Sequence, residues 1–293
     1  MSIFTGSGVA LITPFNDNEN KTINYDAFAR LIEFQIENQT DALIVCGTTG
    51  EASTLSDDEQ IEAIRFAVEK AKKRVPVIAG AGSNDTKHGI ELCKKSEKAG
   101  ADACLLITPY YNKTTQKGLI EHFTATAAAI DIPIILYNLP GRTGLNMFAK
   151  TTAELSKIDN IVAIKEASGN MEQIAETAYL CGDGFDIYSG DDSATLPIMS
   201  YGGKGVISVV ANVAPKQTHD MTASFLNGDI KAAAKLQLGL LPLMSALMCE
   251  VNPIPVKAAL NMMGFGVGGY RAPLTTMEDA NYNRLKEALK ILS

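Results

Sequence analysis

The stretch "ALIVCGTTGEASTLSDDEQIEAIRFAVEKAKKRVPVIAGAGS" (residues 42–83) reads as strand, turn, helix and strand. Residues 42–50 form a short apolar run that closes in small and polar residues. Ser56 with Glu59 three positions on is a capping-box pair, and it marks a helix start. Ile61, Ile64, Val68 and Ala71 then keep the i, i+3, i+4 spacing of one buried helical face. Lys and Arg collect at the far end, where the helix dipole favours cations. A second apolar run fills residues 75–83. Two strands joined through a helix pair in parallel, because the crossover returns the chain to the same end of the sheet.

The same order recurs along the chain. The β-prone runs are "VALITPF" (9–15), "ALIVCGTTG" (42–50), "VPVIAGAGS" (75–83), "ACLLITPYY" (103–111), "PIILYNLPG" (133–141), "IVAIKEASG" (161–169), "FDIYSGDDS" (185–193) and "GVISVVANV" (205–213). Between them, "NYDAFARLIEFQIEN" sets Tyr25, Phe28, Leu31, Ile32 and Ile36 along one face, and "GLIEHFTATAAAI" reads as a further helix. Gly100, Gly182 and Gly228 stand where helices end on glycine. Eight such units predict an α/β fold, a (β/α)8 TIM barrel. A doubly wound sheet would need a glycine-rich turn after its first strand, yet "NDNENKTIN" follows Phe15 without a glycine. "GFGVGG" (264–269) follows a helical segment and not a strand, so it is no dinucleotide loop. After about residue 214 the chain turns helical and rich in Leu, Met and Ala. The expected division is a catalytic barrel over 1–224 and a C-terminal helical extension over 225–293, packed on it.

Composition narrows the function classes. The chain has 293 residues, 46% hydrophobic and 20% charged, which suffices for a large core. A net charge of −7 argues against nucleic acid and anionic membrane as partners. "MSIFTGSGVALITPF" lacks the basic start of a signal peptide, and no run approaches the roughly 20 apolar residues of a membrane span. Five scattered cysteines without a C-x-x-C pair fit reduced thiols, hence a cytoplasmic protein.

In a parallel barrel the chemistry stands at the C-terminal ends of the strands. Lys165 is the residue there that packing explains least. A strand apolar at nearly every position is buried on both faces, and lysine is almost never buried unless it is paired or used. Glu166, Asp191 and Asp192 are nearby acids that could pair with it; the other reading is a neutral amine used as a nucleophile. Thr48 and Thr49, between glycines, suit a carboxylate or phosphate, and a tight turn with an N-cap explains them equally well. Tyr110, Tyr111 and Tyr137 read as packing or as hydroxyl donors, Arg142 as a surface charge or an anion clamp. Their convergence on one rim favours the amine. His88, His122 and His219 have no metal-ligand spacing, no metal site is expected, and Asp191-Asp192 reads as a helix N-cap.

"CGTTGE" (46–51), "YNLPGRTG" (137–144) and "AIKEASG" (163–169), in this order and spacing, together resemble the dihydrodipicolinate synthase family, also called 4-hydroxy-tetrahydrodipicolinate synthases. The likeness runs over essentially the whole chain, from "GSGVALITPF" into the helical C-terminal region. It implies a lyase of the class I aldolase type that joins pyruvate to aspartate semialdehyde, in the diaminopimelate route to lysine, through an imine on Lys165 and without a cofactor. It implies a proton relay of Tyr137, Thr48 and Tyr111, the last reaching in from a neighbouring subunit. Thr49 with Thr48 would hold the pyruvate carboxylate, Arg142 the semialdehyde carboxylate, while Gly190 and Ile207 would line the pocket. A homo-oligomer follows, a tetramer built as a dimer of dimers.

One part of the family pattern is broken. In lysine-inhibited bacterial relatives the inhibitor site uses histidines on the helix after the GTTGE turn and an acid in the third βα unit. Here the matching positions hold Asp57 and Gln60, with Asn84 kept, His88 in place of the acid, and Ala52 and Ser53 close by. Weak or absent feedback by lysine is the expectation. Two other functions share the barrel or its pocket: a sialic-acid or sugar-acid lyase, against which Arg142 speaks, and a non-catalytic keto-acid sensor, against which the complete set of Lys165, Tyr137, Thr48 and Tyr111 speaks.

Overall fold

The computed structural model describes residues 2–292. Its strands are β1 (Gly6–Ala10), β2 (Ala42–Val45), β3 (Val77–Gly80), β4 (Ala103–Ile107), β5 (Ile134–Asn138), β6 (Ile161–Glu166), β7 (Asp186–Ser189) and β8 (Gly205–Ser208). They pair in parallel in sequence order, and β8 closes on β1. The connecting helices are α1 (Tyr25–Glu37), α2 (Asp57–Ala71), α3 (Thr86–Lys98), α4 (Gln116–Ala127), the short α5 (Pro140–Thr143), α6 (Ala149–Leu155), α7 (Met171–Cys181), α8 (Thr195–Met199) and α9 (Pro215–Leu226). A C-terminal layer follows as α10 (Ile230–Leu247), α11 (Ile254–Met262) and α12 (Asp279–Ala288).

Alternation along each strand sorts the side chains into two shells. Ala42, Ile44, Ile78, Leu105, Ile135, Tyr137, Ala163, Tyr188 and Ile207 fill the barrel. Leu43, Val45, Val77, Ala79, Leu106, Leu136, Ile164 and Ile187 face the helices. The floor of the barrel is plugged: Phe4 stacks on Tyr188 with ring centres 4.3 Å apart, and the Tyr188 hydroxyl donates to the Phe4 carbonyl at 2.6 Å. These two side chains obstruct the interior at the N-terminal ends of the strands.

The first strand lies earlier than its apolar run. It spans Gly6–Ala10 and not residues 9–15, and at Phe15 the chain has already left the barrel, its N–H bonded to the Val267 carbonyl. Glycine hides the strand start from a hydrophobicity reading. A Cβ on Gly8 would meet Phe4 and Ile44 at 2.8 and 2.9 Å, so these positions are occupied by neighbouring side chains. The capping box on α2 is present: Ser56 Oγ accepts from Glu59 N at 3.3 Å, and Ser56 N donates to Glu59 Oε2 at 2.9 Å. Gly100, Gly182 and Gly228 all carry the positive φ of helix-terminal glycines.

The C-terminal layer shares the barrel's outer core. Leu240, Leu243, Leu247, Val256, Leu260 and Leu285 belong to the same apolar cluster as the helix-facing strand residues. Residue 224 lies within α9, which runs unbroken to Leu226. Helix α10 has the length and apolarity of a membrane span, and here one of its faces packs inward through Ala233, Leu240, Leu243 and Leu247.

Candidate active site

Lys165 lies on β6 in register with Tyr137 on β5 and Tyr188 on β7, so the three side chains point into the barrel interior. The lysine is 5% exposed and its Nζ sits 4.3 Å from the centre of the Tyr137 ring. Burial draws its pKa down to about 8; Asp192 pulls it upward and Arg142 pushes it further down. The ammonium form still predominates near neutral pH, but far more of the amine is neutral than for an ordinary lysine. No salt bridge engages Lys165 among the described residues. Burial also raises the Tyr137 phenol well above its ordinary value, so it stays a proton donor.

The acids that could have paired with the lysine are engaged elsewhere. Glu166, one position on, faces the helices, where it accepts from Ser168 N at 2.8 Å and Asn138 Nδ2 at 3.2 Å. The two neighbouring aspartates do different work. Asp191 caps a 3-10 turn by accepting from Ser193 N at 2.9 Å. Asp192 is buried, and its Oδ2 accepts the N–H groups of Val209 and Val210 at 3.0 Å each. The N-cap expectation thus holds for Asp191 and fails for Asp192, which instead ties the end of β7 to the turn after β8.

The threonine turn follows β2. Cys46 and Glu51 bracket it, both with left-handed backbone at φ 58° and 56°. The turn closes through Gly50 N to Gly47 O at 3.0 Å and Glu51 N to Thr48 O at 3.1 Å. The N–H groups of Thr48 and Thr49 donate to no protein acceptor among the described residues. Two adjacent free N–H donors between left-handed residues are groups that could receive an anion. Thr49 is buried, and its Oγ1 accepts from Asn252 Nδ2 at 2.9 Å.

Arg142 stands on α5, exposed, and its Nη2 donates to the Asn252 carbonyl at 3.2 Å. Its charge favours the neutral Lys165 amine and opposes the burial-driven rise of the Tyr137 phenol. One asparagine thus touches both cationic and donor sites, through its side chain and through its backbone. Sequence reasoning missed Asn252, whose only local mark is a polar residue ahead of the apolar "PIPVKAAL". Gly190 has Lys165 Cε and Ala167 Cβ within 3.1 and 2.7 Å of where a Cβ would stand, so any side chain there would press on the lysine stem. Ile207 is a buried lining residue of the interior.

Tyr111 is the expected site residue that one chain does not gather. It is 91% exposed, with a positive φ of 65°, beside the 39% exposed Tyr110. The loop is held from behind by Asn112 Nδ2 donating to Asn84 O at 2.9 Å. Where lysine-inhibited relatives would place their inhibitor site, His88 Nε2 lies 3.0 Å from the Asp57 carboxylate and its Nδ1 lies 3.0 Å from Ser83 Oγ. Gln60 is turned inward and donates to the Ala52 and Leu55 carbonyls.

A parallel barrel plugged below, with a depressed-pKa lysine inside and anion donors at its mouth, has the parts of a Schiff-base aldolase. The chain belongs to the dihydrodipicolinate synthetase family, whose model matches residues 3–292. It is 59% identical to a 4-hydroxy-tetrahydrodipicolinate synthase of Lachnoclostridium phytofermentans over 99% of this chain and 98% of that protein. The crystal structure of dihydrodipicolinate synthase from Aquifex aeolicus superposes with a TM-score of 0.95 at 46% identity, covering 98% of this chain and 97% of the other. That of the Acinetobacter baumannii enzyme, complexed with pyruvate, gives 0.95 at 42% identity and covers 98% of both chains.

Proposed function

We propose that this chain is a lyase that condenses pyruvate with L-aspartate 4-semialdehyde, the activity for which its relatives are named. The observation that carries the reading is the lysine inside the barrel, uncharged in part and flanked by a tyrosine that keeps its proton. Lys165 attacks the ketone carbon of pyruvate through its neutral amine. The carbinolamine loses water, and the C=O bond is replaced by a C=N bond to Nζ. The iminium withdraws electrons, so a methyl proton leaves and an enamine forms; this sequence needs no cofactor. The enamine carbon adds to the semialdehyde carbonyl. The substrate's own amine then displaces Nζ at the former ketone carbon, closing the ring and freeing the lysine.

Each anion has a place in this scheme. The Thr48–Thr49 turn holds the pyruvate carboxylate with its free N–H groups, and the Arg142 fork holds that of the semialdehyde. Tyr137 and Thr48 carry protons to and from the carbinolamine oxygen. Tyr111 completes the relay from a neighbouring copy, which makes a dimer the smallest active unit and a dimer of dimers the expected assembly. The five cysteines, all free thiols, support a cytoplasmic setting.

Borohydride reduction in the presence of pyruvate tests the reading: a mass gain on Lys165 is expected, and none on the folded protein would overturn it. Semialdehyde-dependent pyruvate consumption then distinguishes this activity from that of a sugar-acid lyase.

A further inference from the structure

A second lysine is buried in this chain, and no step of the reaction uses it. Lys257 on α11 is 0% exposed; its Nζ lies 2.6 Å from Glu51 Oε1 and 4.1 Å from the centre of the Phe15 ring. Glu51 Oε2 accepts from Arg271 N at 3.2 Å, so both carboxylate oxygens are engaged. A buried ion pair is rarely more stabilising than apolar side chains of the same volume. Stability alone therefore does not account for it.

The reason lies in where Glu51 stands. It is the last residue of the threonine turn, held in left-handed backbone that a non-glycine residue adopts only under constraint. The turn has no regular secondary structure to hold it. Instead each of its last three residues is fixed by a different distant partner. Thr49 Oγ1 is bonded by Asn252, the Gly50 carbonyl by Thr13 Oγ1 at 2.7 Å, and Glu51 by Lys257. Asn252 stands just before α11 and Lys257 within it, and the Asn252 carbonyl also receives Arg142. Lys257 has a second effect. An unpaired Glu51 carboxylate, two residues from Thr49, would repel a carboxylate bound on the turn's N–H groups.

We propose that Lys257 is a positioning residue for the keto-acid carboxylate site, clamping Glu51 so that the Thr48 and Thr49 N–H groups keep their anion-binding arrangement. The inference rests on the reading of that turn as the pyruvate site. Its signature is a change in pyruvate binding with little change in the chemical step, because Lys257 touches neither Lys165 nor the reacting atoms.

Steady-state kinetics of Lys257→Met, Lys257→Arg and the double variant Glu51→Gln/Lys257→Met test it. In Lys257→Met the KM for pyruvate should rise about tenfold, with kcat at saturating pyruvate and the KM for the semialdehyde within about threefold of the unaltered protein. Lys257→Arg keeps the charge and should return the pyruvate KM to within about threefold. The double variant leaves no unpaired buried charge, so it supplies a folded protein without the clamp should Lys257→Met fail to fold; the same rise of about tenfold is expected. A pyruvate KM raised less than about threefold in either folded variant, whatever the loss of thermal stability, would overturn the inference. Borohydride trapping on Lys165 of the unaltered protein reports separately on the reading beneath it.

Discussion

Lys165 and Tyr137 are register partners on neighbouring strands, and the lysine Nζ lies 4.3 Å from the centre of the tyrosine ring. The pair sits inside a barrel that is closed below by Phe4 and Tyr188. An amine in that position is held for its reactivity at the expense of stability, and the two can be measured apart. Lys165→Met should abolish imine trapping and lower turnover by at least about a thousandfold. It should also make the protein more stable at pH 7. Below about pH 8 the folded chain must keep an ammonium group in a dry interior. Between about 8 and the ordinary lysine value of 10.5, the unfolded chain holds that proton and the folded chain does not, so unaltered protein gains stability as pH rises. The advantage of the variant, up to roughly 3 kcal/mol at pH 7, should therefore shrink across that interval. Urea unfolding of both proteins from pH 7 to 10 checks this; a pH-independent difference would count against a buried titrating amine.

The rate of imine formation should follow the same titration. It should rise through about pH 8 as Lys165 loses its proton, and then level off, since burial keeps the Tyr137 phenol protonated beyond that range. Arg142 contributes to the low lysine value by charge repulsion. Arg142→Leu should shift the midpoint to higher pH and raise the KM for the semialdehyde about tenfold or more. Stopped-flow measurement of pyruvate binding against pH decides the first point; a midpoint that stays put or falls would separate Arg142 from the amine.

Tyr111, 91% exposed on its own chain, offers a test of shared sites. Tyr111→Phe should lower kcat by about ten- to a hundredfold, within the range of a lost proton donor. Refolded together, Tyr111→Phe and Lys165→Ala should recover activity that neither has alone. One site in each mixed pair then combines an intact Lys165 with an intact Tyr111 from its neighbour. Activity equal to the sum of the separate variants would show that the tyrosine does not act across an interface.

Lysine at millimolar concentration should leave the initial rate essentially unchanged. The cleft that would receive it is occupied by the chain's own polar contacts, His88 with Asp57 and Ser83, and Gln60 with the Ala52 and Leu55 carbonyls. A clear fall in rate with added lysine, at fixed substrate, would mean that these contacts open.

The sequence carried the architecture because its signals are local. The apolar runs of the strands, the Ser56–Glu59 capping box and the helix-terminal glycines each involve neighbours a few residues apart, and the order of strand then helix recurs along the chain. The one misplaced strand, β1, begins in Gly6-Ser7-Gly8, where close packing leaves no room for the apolar side chains that would announce it. Lys165 was legible for the same reason: a lysine breaks an apolar run that tolerates little else.

What only the tertiary structure decided is which charges and donors meet. Glu166 was a candidate partner for Lys165 by adjacency, yet strand alternation sends it to the opposite shell, and Asp192 bonds the turn after β8 instead. Asn252 reaches Thr49 across 203 residues and Lys257 reaches Glu51 across 206. No periodicity encodes such pairs, because contacts made at that separation depend on closure of the whole barrel and on the docking of the C-terminal helices. The sequence by itself determined a barrel with an amine inside it. The fold decided that the amine goes unpaired, and that the turn beside it is held in place from the far end of the chain.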